Sequence, residues 1–148
     1  MVEPGSRPQK ARLKVNMDEL AYAFENCSRE MRYFLDLENG AVVVVSDYDD
    51  EKEELEEKVE QELGKRYLAI PCMGSEEAYR DMVDFIGSVE DRFLKEKLQI
   101  AVDGEAAFRR FKNVLLSYPE ERERWFKFKE ECVKERVRDW LELEGIEL

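Results

Sequence analysis

MRYFLDLENGAVVVV, residues 31–45, is the stretch on which the fold turns. Met31, Tyr33, Leu35 and Leu37 alternate with Arg32, Phe34, Asp36 and Glu38, the period of two that marks a strand with one buried face. Phe34 is the exception, an aromatic ring on the polar face. Asn39-Gly40 follows, a dipeptide favoured in two-residue type I′ turns because both residues tolerate positive φ. The aliphatic run Ala41–Val45 then reads as the returning strand. The segment predicts an antiparallel hairpin closed by a two-residue turn.

On the N-terminal side, Asn16 with Glu19 three residues later is an approximate capping box, and Met17, Leu20, Ala21 and Phe24 recur at helical spacing. A helix over Met17 to Cys27 follows. On the other side, 47–62 holds ten acidic and two basic residues with a narrow apolar stripe, Leu55, Val59 and Leu63. This reads as a solvated helix leaning on the core by one edge, with Gly64 as its C-cap. Lys65 to Ile70 is a third strand, stopped by Pro71. Ser75 is the expected cap of a helix that faces inward with Ala78, Met82, Phe85 and Ile86. Gly87 breaks that helix, and Ser88 caps the next, with Phe93, Leu94, Leu98 and Ile100 inward.

Asp103-Gly104 opens a further helix with the stripe Ala107, Phe108, Phe111, Val114 and Leu115. Pro119 suits the first position of a last, long helix that Gly145 ends. Its apolar arc is wide: Trp125, Phe126, Phe128, Cys132, Val133, Val137, Trp140 and Leu141. Strands come early and helices late. The expected class is α+β: a small three-stranded, largely antiparallel sheet (one hairpin plus a third strand) packed with about six helices, the C-terminal half all-helical. Residues 1–14 read as a flexible basic leader and 15–148 as a single domain.

The chain has 148 residues, 43% of them hydrophobic, enough for a core, and a net charge of -12. It has no histidine, which excludes Ser-His-Asp and Cys-His nucleophile systems and histidine metal sites. Cys27, Cys72 and Cys132 are odd in number and far apart, with no CxxC pair. They read as reduced thiols that pack as small apolar residues in a cytoplasmic protein. No stretch has the length of a transmembrane helix, and the N-terminus lacks the apolar region of a signal peptide. The 26 Glu and 11 Lys against three Gln match the bias of hyperthermophile proteins, so a thermophilic source is expected.

Charge supplies the candidate surfaces. Asp47, Asp49, Asp50, Glu51 and Glu54 form an acidic face suited to docking a basic partner. They are not a calcium loop: counted from Asp47, the sixth position is Lys52 rather than glycine and the twelfth is Lys58 rather than Glu. Arg109, Arg110 and Lys112 form a basic face that suits an anion, with Arg122, Arg124, Lys127 and Lys129 further on. Interleaved glutamates, Glu105, Glu120, Glu121 and Glu123 among them, weaken its field and favour ion-paired helix surfaces. No glycine-rich phosphate loop and no GxSxG elbow is present. No carboxylate pair is singled out by spacing among 36 acidic residues.

The string Gly104-Glu-Ala-Ala-Phe-Arg-Arg-Phe-Lys112, then Trp125-Phe-Lys-Phe128, then Asp139-Trp-Leu141 before Gly145-Ile146, resembles a family of small bacterial proteins of unknown function, an uncharacterised protein family. Tyr33-Phe-Leu-Asp36 with Asn39-Gly40, Tyr67-Leu-Ala-Ile-Pro71 and Met82-Val-Asp-Phe-Ile86 are similar to its upstream segments. The resemblance runs from about Met17 onward. It implies an intracellular protein in which Phe108, Phe111, Trp125, Phe128 and Trp140 are the packing signature. It brings no catalytic residue or cofactor with it.

The expected function is a non-enzymatic interaction or regulatory module with an acidic surface, using no cofactor and no metal. A homodimer or a protein partner would cover exposed parts of the wide apolar arc. Nucleic-acid binding through the leader and the Arg109, Arg110, Lys112 face is the alternative, and a metal-assisted carboxylate enzyme is the second. No membrane contact is expected of so acidic a chain.

Overall fold

The computed structural model of the chain describes residues 11–147. Residues 1–10 of the expected leader lie outside the described residues. The elements are β1 (Ala11–Arg12), α1 (Met17–Asn26), β2 (Met31–Asp36), β3 (Val42–Ser46), α2 (Lys52–Gln61), β4 (Tyr67–Ala69), α3 (Ser75–Gly87), α4 (Arg92–Ala101), α5 (Ala107–Leu115), α6 (Pro119–Leu143) and β5 (Ile146–Glu147). The class is α+β, with six helices and a three-stranded antiparallel sheet of order β3-β2-β4 among the described residues. A feature the sequence did not announce is a short parallel pairing of β1 with β5, Ala11 opposite Ile146. The chain gathers into two compact units. One runs up to Met73 and resumes at Val133; the other is Gly74–Cys132.

In the first unit, α1 starts as its sequence dictates: Asn16 accepts the Glu19 N–H at 3.1 Å. Its buried face, Leu20, Ala21, Ala23 and Phe24, meets the odd-numbered face of β2, Tyr33 and Leu35. Val133, Val137, Trp140 and Leu141 of α6 complete this core, with Phe24 edge-on to Trp140 at 5.8 Å between ring centroids. The even-numbered face of β2 is covered too. Phe34 packs with Val43, Val45 and Tyr67 against Leu55 and Val59 of α2. That second, smaller core is why the aromatic ring sits on the nominally polar face. The two charged residues sharing the face, Arg32 and Asp36, are both ion-paired.

Asp36 is the most constrained polar residue of this unit. It is 3% exposed. Its carboxylate accepts from Arg66 through Nε at 3.3 Å and Nη2 at 3.1 Å, and from the Glu38 N–H at 2.9 Å. Burial by itself raises a carboxyl pKa. Here the hydrogen bonds from Arg66 and Glu38, with the charges of Arg66 and Lys58, outweigh burial and hold Asp36 below its ordinary value. The main chain of the same two residues is joined to the sheet: Leu37 N–H donates to the Arg66 carbonyl at 2.7 Å, and Asp36 N–H to that of Ala41 at 2.8 Å.

This clamp changes the hairpin turn. The register pairs Leu35 with Val42, and Gly40 N–H donates to the Asp36 carbonyl. Five residues, Leu37 to Ala41, therefore connect the strands, not the expected two. Gly40 takes the left-handed backbone, φ +79°, and Asn39 instead uses its side chain to accept the Ala41 N–H at 2.8 Å. The Asn-Gly signal located the turn, but the bond from Glu38 to Asp36 wound the chain one step earlier.

The second unit packs α3, α4, α5 and the first half of α6 around aromatic rings. Phe111 and Trp125 lie 4.9 Å apart, Phe85 and Trp125 5.3 Å, and Phe85 and Phe128 5.6 Å. Helix starts differ from expectation. Ser75 is the first helical residue of α3 and Gly74 the N-cap; the Glu77 carboxylate folds back to where a Gly74 side chain would stand. Ser88 closes α3, its hydroxyl donating to the Phe85 carbonyl at 2.6 Å, and Asp91 caps α4 through the N–H groups of Phe93 and Leu94. Starting α4 at Asp91 buries Leu94, Leu98 and Ala101 and leaves Phe93 and Ile100, 78% and 60% exposed, on another side. In α5 the buried line is Ala107, Phe111 and Leu115, so Phe108 stands one helical step off it and is 40% exposed. The other four aromatics of the packing signature are buried or half-buried.

Gly40 and Gly64 share a left-handed backbone, but only at Gly40 would a Cβ strike other atoms, the Lys14 carbonyl. Gly64→Ala is expected to cost about 1 kcal/mol, the left-handed penalty alone. Gly40→Ala is expected to cost clearly more. Urea unfolding of both variants checks the order.

Candidate functional site

The acidic candidate is built on the end of β3 and the start of α2. Asp47 follows Ser46 directly and is drawn into a network at the base of the helix. Lys52 Nζ lies 3.1 Å from Asp47 and 3.8 Å from Glu56, and Arg32 reaches Glu56 at 3.1 Å and Asp47 at 3.6 Å. All four side chains are about a third exposed, so each pair is weak and the network chiefly orients the helix. Asp49 spends one oxygen on the Glu51 N–H at 2.9 Å, forming the turn that leads into α2. Asp50, Glu51 and Glu54 are exposed, as are Glu53, Glu57, Glu60 and Glu62. Of the five predicted residues, two are thus engaged locally and three lie in a wider belt of exposed carboxylates.

The basic candidate does not form a single face. Arg109 and Lys112 are exposed on α5. Arg110 is half-buried and donates to the carbonyls of Ile100 and Asp103 at 3.4 Å each, satisfying the C-terminal end of α4. Arg109 borders a cleft of about 590 Å³ shared with Ser75, Glu76, Tyr79 and Phe108. Further along, Arg122 stacks on Phe126 at 5.0 Å.

A site the sequence did not reveal surrounds Arg124. A cavity of about 890 Å³ lies between the start of α4 and the start of α6, lined by Glu90, Asp91, Tyr118, Glu121 and Arg124 among others. Arg124 is held in three ways. It makes a two-pronged contact with Glu121, Nη2 at 2.8 Å and Nε at 3.1 Å; it donates to Ser88 Oγ at 2.9 Å; and it lies 4.4 Å over the Phe85 ring. The hydrogen bond with Glu121 outweighs burial and, with the charges of Glu121 and Glu90, raises the Arg124 pKa. The Glu121–Arg124 spacing was visible in the sequence. Nothing there brought Phe85 and Ser88 to the same guanidinium.

The cysteines correct an expectation. Cys27 and Cys72 form a disulfide, with Cα atoms 5.6 Å apart; Cys132 is not in a disulfide. Cys27 is the C-cap of α1 and Cys72 follows the strand stop at Pro71. A separation of 45 residues carries no signature of pairing, so only the fold could reveal it. In the chain-entropy account a loop of this size is worth about 4 kcal/mol.

Among the described residues no group of three or more Cys, Asp or Glu side chains is placed to hold a metal ion, and no helix is long and apolar enough to cross a membrane. Residues 6–148 match the uncharacterised protein family UPF0158. The chain belongs to that family. It is 30% identical over 130 residues to the UPF0158 protein PA5073 of Pseudomonas aeruginosa, covering 88% of this chain and 82% of the relative. No solved structure matches it.

In this UPF0158 chain the Trp125-Phe-Lys-Phe128 segment carries two of the rings on which the second unit closes. Arg124, the residue before it, fastens the edge of that cluster. Arg124→Ala is expected to lower Tm by a few degrees. Arg124→Lys is expected not to restore it, since an ammonium cannot bind Glu121 with two prongs and lie flat on Phe85 together. Thermal unfolding of both variants checks this.

Proposed function

We propose that the protein is a non-enzymatic interaction module that acts in the cytoplasm and offers the acidic belt from Asp47 to Glu62 to a basic segment of another protein. The observation that carries this reading is the way α2 is attached. Val59 is its one fully buried residue, Leu55 is half-buried beside it, and the helix is steadied at its base by Arg32 and Lys52. Among the described residues no ion pair involves Asp50, Glu51, Glu53, Glu54, Glu57, Glu60 or Glu62. Like charges three and four residues apart, such as Glu53 with Glu57 and Glu57 with Glu60, destabilise a helix. Glu60 and Glu62 also stand at the end where its dipole disfavours anions. A basic partner offsets both costs. A second copy of the chain docked belt to belt would add to them, so a different protein is favoured over a homodimer through this face.

Nucleic-acid binding and a metal-assisted carboxylate enzyme draw less support. Arg110 is committed to backbone carbonyls and Arg124 to Glu121, which leaves Arg109 and Lys112 as the exposed members of the basic candidate.

The test is fluorescence anisotropy of a labelled lysine-rich peptide, with a labelled single-stranded DNA as the competing probe. Neutralising Asp49, Asp50, Glu51 and Glu54 as amides is expected to weaken peptide binding about tenfold at low salt. Neutralising four carboxylates elsewhere (Glu96, Glu105, Glu120 and Glu123) is expected to change it little. Equal losses in the two variants would reduce the effect to net charge and overturn the proposal, as would tighter binding of the DNA.

A further inference from the structure

The Cys27–Cys72 bridge has features of a reversible site, not only of a fixed staple. Cys72 is exposed and Cys27 half-buried, so a thiol from solution can reach the Cys72 sulfur. Both cysteines lie just outside regular elements, Cys27 in extended backbone after α1 and Cys72 after β4. The bridge is not what brings the two segments together. Ile70 N–H donates to the Tyr33 carbonyl at 2.9 Å, and Met73 N–H to the Phe24 carbonyl at 2.9 Å, on either side of Cys72. Phe24 itself is anchored in the core against Trp140. With the bridge open, these contacts keep the two thiols within reach of each other, so closure is an intramolecular step between pre-positioned groups.

We propose that Cys27 and Cys72 form a reversible thiol–disulfide site that takes a hydroperoxide as oxidant and a dithiol as reductant. In the oxidising direction the thiolate of the exposed Cys72 attacks the peroxide, breaking its O–O bond and becoming a sulfenic acid as the alcohol or water leaves. The other thiol then attacks that sulfur, forming the S–S bond and releasing water. In the reducing direction a dithiol attacks Cys72, and Cys27 leaves as a thiolate and takes up a proton; the second thiol of the reductant then breaks the mixed disulfide, leaving the reductant as a cyclic disulfide and releasing Cys72 as a thiolate that takes up the other proton.

The bridge closes a loop that holds β2, β3, α2 and β4, the whole three-stranded sheet with its acidic helix. It also tethers 71–74, where Met73 receives the Arg136 guanidinium at its sulfur, 3.6 Å away. Opening it leaves the Met73 N–H bond as the main tie of that segment to α1. The consequence is local: the tether slackens while the cores on both faces of β2 stay closed.

The experiment uses the full-length protein without denaturant. It is treated with a dithiol or with hydrogen peroxide, alkylated with a mass-tagged maleimide and mapped by peptide mass spectrometry. After peroxide, Cys27 and Cys72 are expected to be blocked together, and dithiol is expected to restore labelling of both. Hydrogen exchange at Met73 is expected to speed up about tenfold on reduction, with the amides of Tyr33 and Leu35 unchanged. Cys72→Ser is expected to leave Cys27 open to alkylation after either treatment. Full labelling of both cysteines after peroxide would overturn the proposal. So would a bridge that only denaturant allows the dithiol to open, or loss of protection across the sheet on reduction.

Discussion

The clamp between Asp36 and Arg66 is the constraint from which the first unit follows. A carboxylate at the end of a central strand has lost its water, and only a guanidinium with two aligned donors and a backbone N–H make that position tolerable. Its partners lie on different parts of the chain: Arg66 on the approach to β4, Glu38 in the hairpin turn. Satisfying Asp36 therefore sets where β4 joins β2 and how the hairpin turns. The wound turn puts Gly40 against the carbonyl of Lys14, which fixes the segment before α1. The face of β2 that carries Asp36 is the one α2 covers, so the placement of the acidic helix rests on the same interaction.

The second unit is held differently. Its core is a set of rings at close centroid distances, mostly edge to face, and its polar bonds lie at the rim. Arg124 closes that rim by joining a ring, a hydroxyl and a carboxylate. An acidic chain can use arginine in this way because carboxylates are plentiful around it. Arg66 and Arg124 are both spent on carboxylates of their own unit in this way.

Much of this build was legible in the sequence because it depends on periodicity. The hairpin, the third strand, the α1 cap at Asn16 and the span of α6 from Pro119 to Leu143 all follow local rules. What was not legible depends on partners distant in the chain. The turn is wound by the Glu38 N–H on Asp36, whose carboxylate is held in place by Arg66, thirty residues away. Phe34 looked misplaced until α2 covered it. Phe93 and Ile100 looked inward until Asp91, rather than Ser88, fixed the start of α4. The cysteines read as separate thiols because spacing cannot encode which ends of α1 and β4 meet. The density of carboxylates over 47–62 is a fact of the sequence; the cavity around Arg124 was not legible there, because its walls come from the starts of two helices.

The most direct test is a double-mutant cycle on Asp36→Ala and Arg66→Ala, read by urea unfolding across pH. In the folded state the carboxyl titrates below its ordinary value, so its stabilisation is complete above the ordinary carboxylate range and fades as pH falls through the folded-state value. At neutral pH the two single losses are predicted to sum to clearly more than the loss in the double variant, with the excess shrinking below about pH 4. Additive losses at neutral pH would contradict the account and leave the hairpin turn and the seat of α2 to be explained without the clamp.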